Sequence, residues 1–318
     1  MALVGLLLLA LGASSAGARP AAKNAAPIKL GYISLGEQLP FVALVTKGMR
    51  KAAKANGVNL LVCDSQIDAQ KAINCAAQFK TQGVKGIANF QLDATAGPRV
   101  CAAGPKVPVV AIDIHQQPCE TVFYGADNFN AGKLEGTALG AFAKTKWQCK
   151  IDALISVNAP TAGKVVVLRE AGAIAGVKKA CPGVQVIKVV TKATTDSTIQ
   201  PFTDTLSRLP GKNHLLVTAT NDDQTIGAIK AAQAVGRLGD IYSGSQGADP
   251  TSWPYLCGKT PFKHWVADVA YFPERYGDTV IPLLLSLIDG QAKPKQVFVN
   301  HRVVTPANLT TIYPAACK

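Results

Sequence analysis

From residue 28 to residue 289 the chain repeats one alternation, a short apolar β-rich run followed by a stretch of helical apolar spacing, and this narrows the fold more than any other feature. Strands are expected at 28–33, 58–63, 84–90, 107–112 and 122–124, with helices at 41–55, 68–82 and 94–103 between them. Asn56-Gly57 and Gly83 stand where helices should stop, because these residues tolerate the left-handed backbone that ends a helix. The alternation restarts at Asp127, with helices expected at 128–145, 163–180, 198–208, 222–235 and 273–289, and strands at 151–157, 184–190, 214–218, 241–243 and 265–269. Strands joined through crossover helices form parallel sheets by right-handed βαβ units, with helices on both faces. Two such series, each about the size of a domain, predict two similar Rossmann-like α/β lobes.

Length agrees, since 318 residues at roughly 150 per domain suggest two domains. Apolar residues make up 48% and charged residues 17%, a globular balance that can fill a core. Beyond the N-terminus no apolar run approaches the ~18 residues of a membrane span, and the longest, 281–288, contains Pro282. An integral membrane channel or transporter is thereby excluded. Residues 3–11 are apolar and lead to Ala16-Gly17-Ala18, which reads as a signal peptide over 1–18 cut before Arg19, with a flexible leader over 19–27. The chain is thus expected to be secreted across the cytoplasmic membrane, to a periplasm or cell surface. No lysine or arginine lies in 1–18, so the mature chain keeps the net charge of +13.

Eight cysteines fit export, because disulfides persist outside the reducing cytosol. No C-x-x-C occurs and the four histidines are scattered, so zinc-site spacing is absent and neither metal nor cofactor is expected. Eight cysteines allow 105 pairings, among which the sequence by itself does not choose.

Open α/β sheets place ligands where loops and helix N-termini meet at the carboxyl ends of strands. The loops concerned are 34–41, 64–68, 91–94, 113–120, 158–163, 191–197, 219–222 and 244–249. They hold Gln38, Asp64, Asp113, Asn158, Thr195, Asn221, Asp222 and Gln246. Any single one can equally be a helix cap; their recurrence across loops suits a polyhydroxylated solute, each of whose hydroxyls wants a donor and an acceptor.

The order of local motifs adds to this. Gly31-Tyr32-Ile33 with Leu39-Pro40-Phe41, Gln82-Gly83-Val84-Lys85-Gly86-Ile87, Val109-Val110-Ala111-Ile112-Asp113, Gly125-Ala126-Asp127-Asn128, Arg169-Glu170-Ala171-Gly172 and Asn221-Asp222-Asp223 with Gly227-Ala228 follow one another along nearly the whole mature chain. In sequence and spacing this resembles the type I periplasmic solute-binding proteins, close to the ribose-binding branch. The resemblance implies two hinged lobes that close on a sugar or polyol and deliver it to an ABC transporter permease, as a monomer and without chemistry. It also implies that Phe41 stacks on the sugar ring, that Asp113 and Asn221 bind hydroxyls, and that Arg169 spans ring oxygen and hydroxyls. Gln38, Asn158, Gln246 and Tyr271 complete the expected ligand-binding set.

Three departures from the family pattern are visible. Ile114 stands where an arginine often follows the strand-four aspartate, Gly244-Ser245-Gln246-Gly247 replaces a G-F-D-G turn, and Tyr271 replaces a glutamine. Exchanging an acid for Gln246 changes the hydroxyl pattern recognised, which speaks against ribose and galactose and favours another small polar solute such as a linear polyol. An enzyme on the same fold is disfavoured: no G-x-G-x-x-G follows the first strand, and no G-x-x-x-x-G-K-[ST] or G-x-S-x-G occurs. A DNA-binding repressor of related fold would carry a helix-turn-helix where this chain has its signal peptide, and the lysines are spread as on a solvated surface, so no nucleic acid is expected. A lobe pair feeding a membrane sensor kinase or chemoreceptor remains the alternative to import.

The lobes are expected to comprise 28–125 with 271–290 and 126–270 with 291–318, so that the hinge crosses near 125–127, 268–271 and 291–294. On this topology the cysteines fall into consecutive pairs, Cys63–Cys75, Cys101–Cys119, Cys149–Cys181 and Cys257–Cys317, none of which crosses the hinge.

Overall fold

A computed structural model describes residues 26–318; the expected signal peptide and all but the last two residues of the leader lie outside the described residues. In the first lobe β1 (Lys29–Ser34), β2 (Asn59–Asp64), β3 (Gly86–Asn89), β4 (Val109–Ile112) and β5 (Val122–Gly125) alternate with α1 (Pro40–Ala55), α2 (Ala69–Gln82) and α3 (Gly97–Ala103). Then α4 (Asn128–Trp147) opens the second lobe. There β6 (Ala153–Asn158), β7 (Val186–Val190), β8 (Leu215–Ala219), β9 (Ile241–Gly247) and β10 (Trp265–Ala270) alternate with α5 (Lys164–Ala180), α6 (Thr195–Ser207), α7 (Asp222–Ala234) and the short α8 (Trp253–Leu256). The chain returns to the first lobe with α9 (Tyr276–Ile288) and β11 (Gln296–Phe298), and finishes in the second with β12 (Arg302–Val304) and α10 (Leu309–Ile312).

Each lobe has a six-stranded sheet, in the orders β11-β5-β4-β3-β1-β2 and β12-β10-β9-β8-β6-β7. The pairs are parallel except β10 with β12, which is antiparallel. Interior strands β4 and β6 are buried along their whole length, as parallel strands covered by helices on both faces must be. Helix ends follow local chemistry. The Asp68 carboxylate accepts from the Lys71 amide at 2.7 Å to start α2, and Gly83 ends it in the left-handed region at φ 69°.

Two expectations need correction. Strand β9 runs through Gly247, so Gly244-Ser245-Gln246-Gly247 is not a turn. Its residues 245 and 246 pair with Asp268 and Val269 of β10, and their polar side chains find buried partners on α7 and α4, which removes the cost of burying them. Secondly, residues 296–298 pair with Phe123–Gly125 of β5 and so extend the first lobe's sheet. The third passage between lobes therefore falls at 299–301, between β11 and β12, rather than at 291–294.

The three passages are tied to one another. The Val299 amide donates to the Gly125 carbonyl at 2.9 Å, and Nδ1 of His301 lies 3.1 Å from the Ala270 carbonyl oxygen. Four disulfides pair the cysteines consecutively, with Cα–Cα distances of 5.4 to 5.7 Å. Two lie in each lobe.

Helices α4 and α5 meet more closely than ordinary helices can. Gly132, Gly136 and Gly140 face Gly172 and Gly176, and a Cβ on Gly132 or Gly136 would collide with the carbonyl oxygen of Arg169 or Ala173. Only glycine permits backbone to lie against backbone in this way. The consequence for the site is positional, since α4 carries Glu135 and Asn128 while α5 carries Arg169.

Candidate functional site

On the first lobe's side, β4 ends and the next residue, Asp113, is held at φ 57°. Its buried carboxylate accepts from the Ala126 amide at 3.1 Å, within the first passage between lobes, and from the Tyr276 hydroxyl at 3.1 and 3.2 Å. Burial pushes its pKa up to about 6, against the opposing pull of the Arg169 charge and these hydrogen bonds. Gly125 makes room for it, because a Cβ there would stand 2.6 Å from the Asp113 carboxylate.

Arg169 projects from α5 on the second lobe's side. Its Nε donates to Asn128 Oδ1 at 2.8 Å and its Nη1 to the Thr220 carbonyl at 3.1 Å, while the guanidinium lies 4.6 Å from the centre of the Tyr271 ring. A guanidinium has five N–H donors in a fixed fork, so this arrangement fixes its plane while leaving donors for a ligand. Tyr271, on the second passage between lobes, donates from its hydroxyl to Gln246 Oε1 at 3.0 Å. Gln246 in turn donates to Glu135 Oε2 at 2.8 Å, and Glu135 Oε1 accepts from the Thr218 hydroxyl at 2.7 Å. Phe41, at the start of α1, stands edge-on to Tyr271 at 6.3 Å and to Tyr276 at 5.8 Å.

These contacts gather Phe41, Asp113, Arg169, Gln246 and Tyr271 around the passages between lobes. Asn221 lies next along the chain to Thr220, but its side chain caps α7: Oδ1 accepts from the Gln224 amide at 2.9 Å and Nδ2 donates to the Ala193 carbonyl at 2.9 Å. Asn158 stands apart. Its Nδ2 donates to Glu170 at 3.1 Å and its Oδ1 accepts from the Ala159 amide, so both ends are used within the second lobe. Gln38 is exposed in the loop before α1.

Several groups at the site lie outside the expected ligand-binding set. Asn128 orients Arg169, and Tyr276 connects Asp113 to Phe41. Glu135 is fully buried, and desolvation raises its pKa to about 8 despite the hydrogen bonds from Thr218 and Gln246. Behind them Asp222 accepts from the Ser245 hydroxyl at 2.6 Å, and Asp268 from the Ala248 and Val269 amides at 3.1 and 2.8 Å. Burial raises both carboxyls, that of Asp268 to about 7, so part of this acidic wall is protonated at neutral pH.

Beside Asp113 and Asn128 the cleft opens into a chamber of about 650 Å3. Its apolar wall includes Leu92, Ile114 and Phe298 of the first lobe, and Phe129 and Leu168 of the second.

Comparison with known proteins agrees with this architecture. The periplasmic binding protein domain family matches residues 31–292. The galactofuranose-binding protein YtfQ of Escherichia coli (strain K12) is 28% identical over 231 residues, which are 70% of this chain and 71% of that protein. An ABC transporter solute-binding protein from Mycobacterium smegmatis, solved with bound glycerol, superposes with a TM-score of 0.79 at 20% identity, over 90% of this chain and 96% of that one. A galactofuranose-binding protein does so with a TM-score of 0.78 at 22% identity, over 91% and 98%. With two hinged α/β lobes and a family match over most of its length, the chain belongs to the periplasmic binding protein domain family.

Proposed function

We propose that the protein captures a sugar or polyol in the cleft between its lobes, within a class that includes the furanose for which its relative YtfQ is named, and delivers it to an ABC transporter permease outside the cytoplasmic membrane. The observation that carries this reading is the group at the passages between lobes: an aromatic pair, Phe41 and Tyr271, beside the partly free donors of Arg169 and the acceptor Asp113. Sugars present apolar C–H faces and a rim of hydroxyls, and this group offers a surface for each. Domain rotation about the three tied passages closes the lobes over the solute. Closure removes water, which strengthens every hydrogen bond to the hydroxyls in a medium of lower dielectric.

Arg169 is suited to the central role because its fork can engage two oxygens at once. Gln246 and Tyr271 already satisfy one another, and Glu135 holds Gln246 in place from behind. These partners fix the geometry before the solute arrives, which lowers the ordering cost of binding. The test is thermal denaturation of the oxidised protein against a panel of furanoses, pyranoses, linear polyols and inositols. A true ligand at 100 times its Kd adds about 2.7 kcal/mol of stability. If no polyhydroxylated compound stabilises the protein while a solute of another class does, the reading is wrong.

A further inference from the structure

We infer that the chamber beside the polar group receives an aromatic substituent of the ligand, so that the protein prefers aryl glycosides to the bare sugar; this rests on the sugar-binding reading above. Single exposed apolar residues are normal on a protein surface, whereas converging ones mark a site. Here Leu92, Phe129 and Phe298, which are 37%, 42% and 49% exposed, come from three separate segments and both lobes, yet border one chamber. Ile114, which stands where family members often have arginine, lines the same space and keeps it free of a guanidinium. The wall is aromatic in character: Phe298 stands edge-on to Phe123 at 6.2 Å, and Phe123 is backed by the His115 ring at 4.4 Å. Edge-on and offset contacts at such distances are the ones aromatic rings prefer.

Size and position support the same occupant. About 650 Å3 lies within the ~300–1,000 Å3 typical of sites for drug-sized ligands, which is generous for a single sugar ring. Asp113 and Asn128 belong both to the polar group and to the chamber lining, so the chamber borders that group directly. A ligand with its hydroxyls at Arg169 and Asp113 can therefore extend a ring attached through its glycosidic oxygen toward Phe129 and Phe298. The ring exchanges water for apolar walls, and the lobes bring Phe129 and Leu168 onto it from one side and Leu92 and Ile114 from the other.

The experiment compares matched methyl and phenyl glycosides of β-D-galactofuranose, β-D-galactopyranose and β-D-ribofuranose by calorimetric titration of the whole oxidised protein. In whichever series binds, the phenyl glycoside is expected to bind roughly 10- to 100-fold more tightly than the methyl glycoside, the equivalent of burying one aromatic side chain. Phe298→Ala, at a half-exposed position, should bring that ratio toward one, and Ile114→Arg should do the same by filling the chamber with charge. Equal affinity for phenyl and methyl glycosides overturns the inference and leaves sugar binding standing. A phenyl preference that survives both substitutions also overturns it, because the ring then sits elsewhere. Failure of every glycoside to bind also overturns the inference, while the sugar-binding reading stands or falls separately on the thermal panel of furanoses, pyranoses, linear polyols and inositols.

Discussion

Replacing Gly136 by alanine sets two effects of opposite sign against each other. In a helix interior alanine is favoured over glycine by ~1 kcal/mol, so an exposed position would gain stability. At Gly136 the new Cβ meets the Ala173 carbonyl and backbone atoms of α5, deep inside the ~3.3 Å at which carbon and oxygen touch. A side chain could rotate away; a helix backbone cannot, so α4 and α5 must part. The same helices approach at Gly132, Gly172 and Gly176, so the separation loosens the packing along the pair. Overpacking usually costs ~1–3 kcal/mol, and a rigid neighbour argues for the upper end, which leaves a net loss of about 2 kcal/mol after the helix gain. For a lobe of this size that is a fall of about 4–8 °C in Tm. Calorimetry of the variant beside Gly183→Ala, where an added Cβ meets open space, measures the difference. A Gly136→Ala protein as stable as its parent would refute the claim that backbone contact dictates these glycines.

Three other outcomes are expected. Glu135, Asp268 and Asp113 are raised from 4.5, 3.8 and 3.8 to about 8, 7 and 6, so the folded protein holds protons that the unfolded chain has lost across that range. Stability contributed by these groups therefore falls as pH rises from about 4 to 8; Tm should be higher at pH 5 than at pH 8, and Glu135→Gln should flatten the difference. Arg169→Ala should weaken solute binding by about 1.5–3 kcal/mol, the range for hydrogen bonds from a charged donor, as read by calorimetric titration; unchanged affinity removes Arg169 from the site. Replacing Cys101 and Cys119 by serine opens a bridge spanning 18 residues, which should cost about 3 kcal/mol and lower the first lobe's transition in a denaturant titration while leaving the second lobe's in place.

The parallel strands could be read from the sequence because burial on both faces makes them largely apolar runs, unbroken in Val109–Ile112 and interrupted by Ser156 in Ala153–Val157. Strand β9 ran past its expected end because Ser245 and Gln246 look like turn residues, and the partners that let them be buried, Asp222 and Glu135, lie 23 and 111 positions away. Strand β11 is three residues long at a sheet edge, where pairing with β5 rather than local preference decides the conformation. At the site, Phe41, Asp113 and Arg169 sit in motifs that could be recognised. Asn158 ends β6 beside an equally suitable loop, yet Glu170 takes its amide. Glu135 had no motif of its own: the repeat Gly132-x-x-x-Gly136-x-x-x-Gly140 marks the face of α4 that meets α5, whereas Glu135 bonds Thr218 and Gln246 of the sheet.

Consecutive pairing of the cysteines has a consequence for the order in which the molecule is made. A chain that appears N-terminus first offers every second cysteine a single unpaired predecessor, and that predecessor is its native partner: Cys75 finds Cys63 before Cys101 exists, and Cys181 finds Cys149 before Cys257. Oxidation can thus proceed without passing through a mispaired intermediate that must be reshuffled. The backbone follows the opposite schedule. The first lobe's sheet lacks its edge strand β11 and its covering helix α9 until residue 298 has been delivered, after both of the first lobe's bridges can have closed. The early bridges therefore hold a half-built lobe together while the second lobe from α4 to β10 is threaded between its parts.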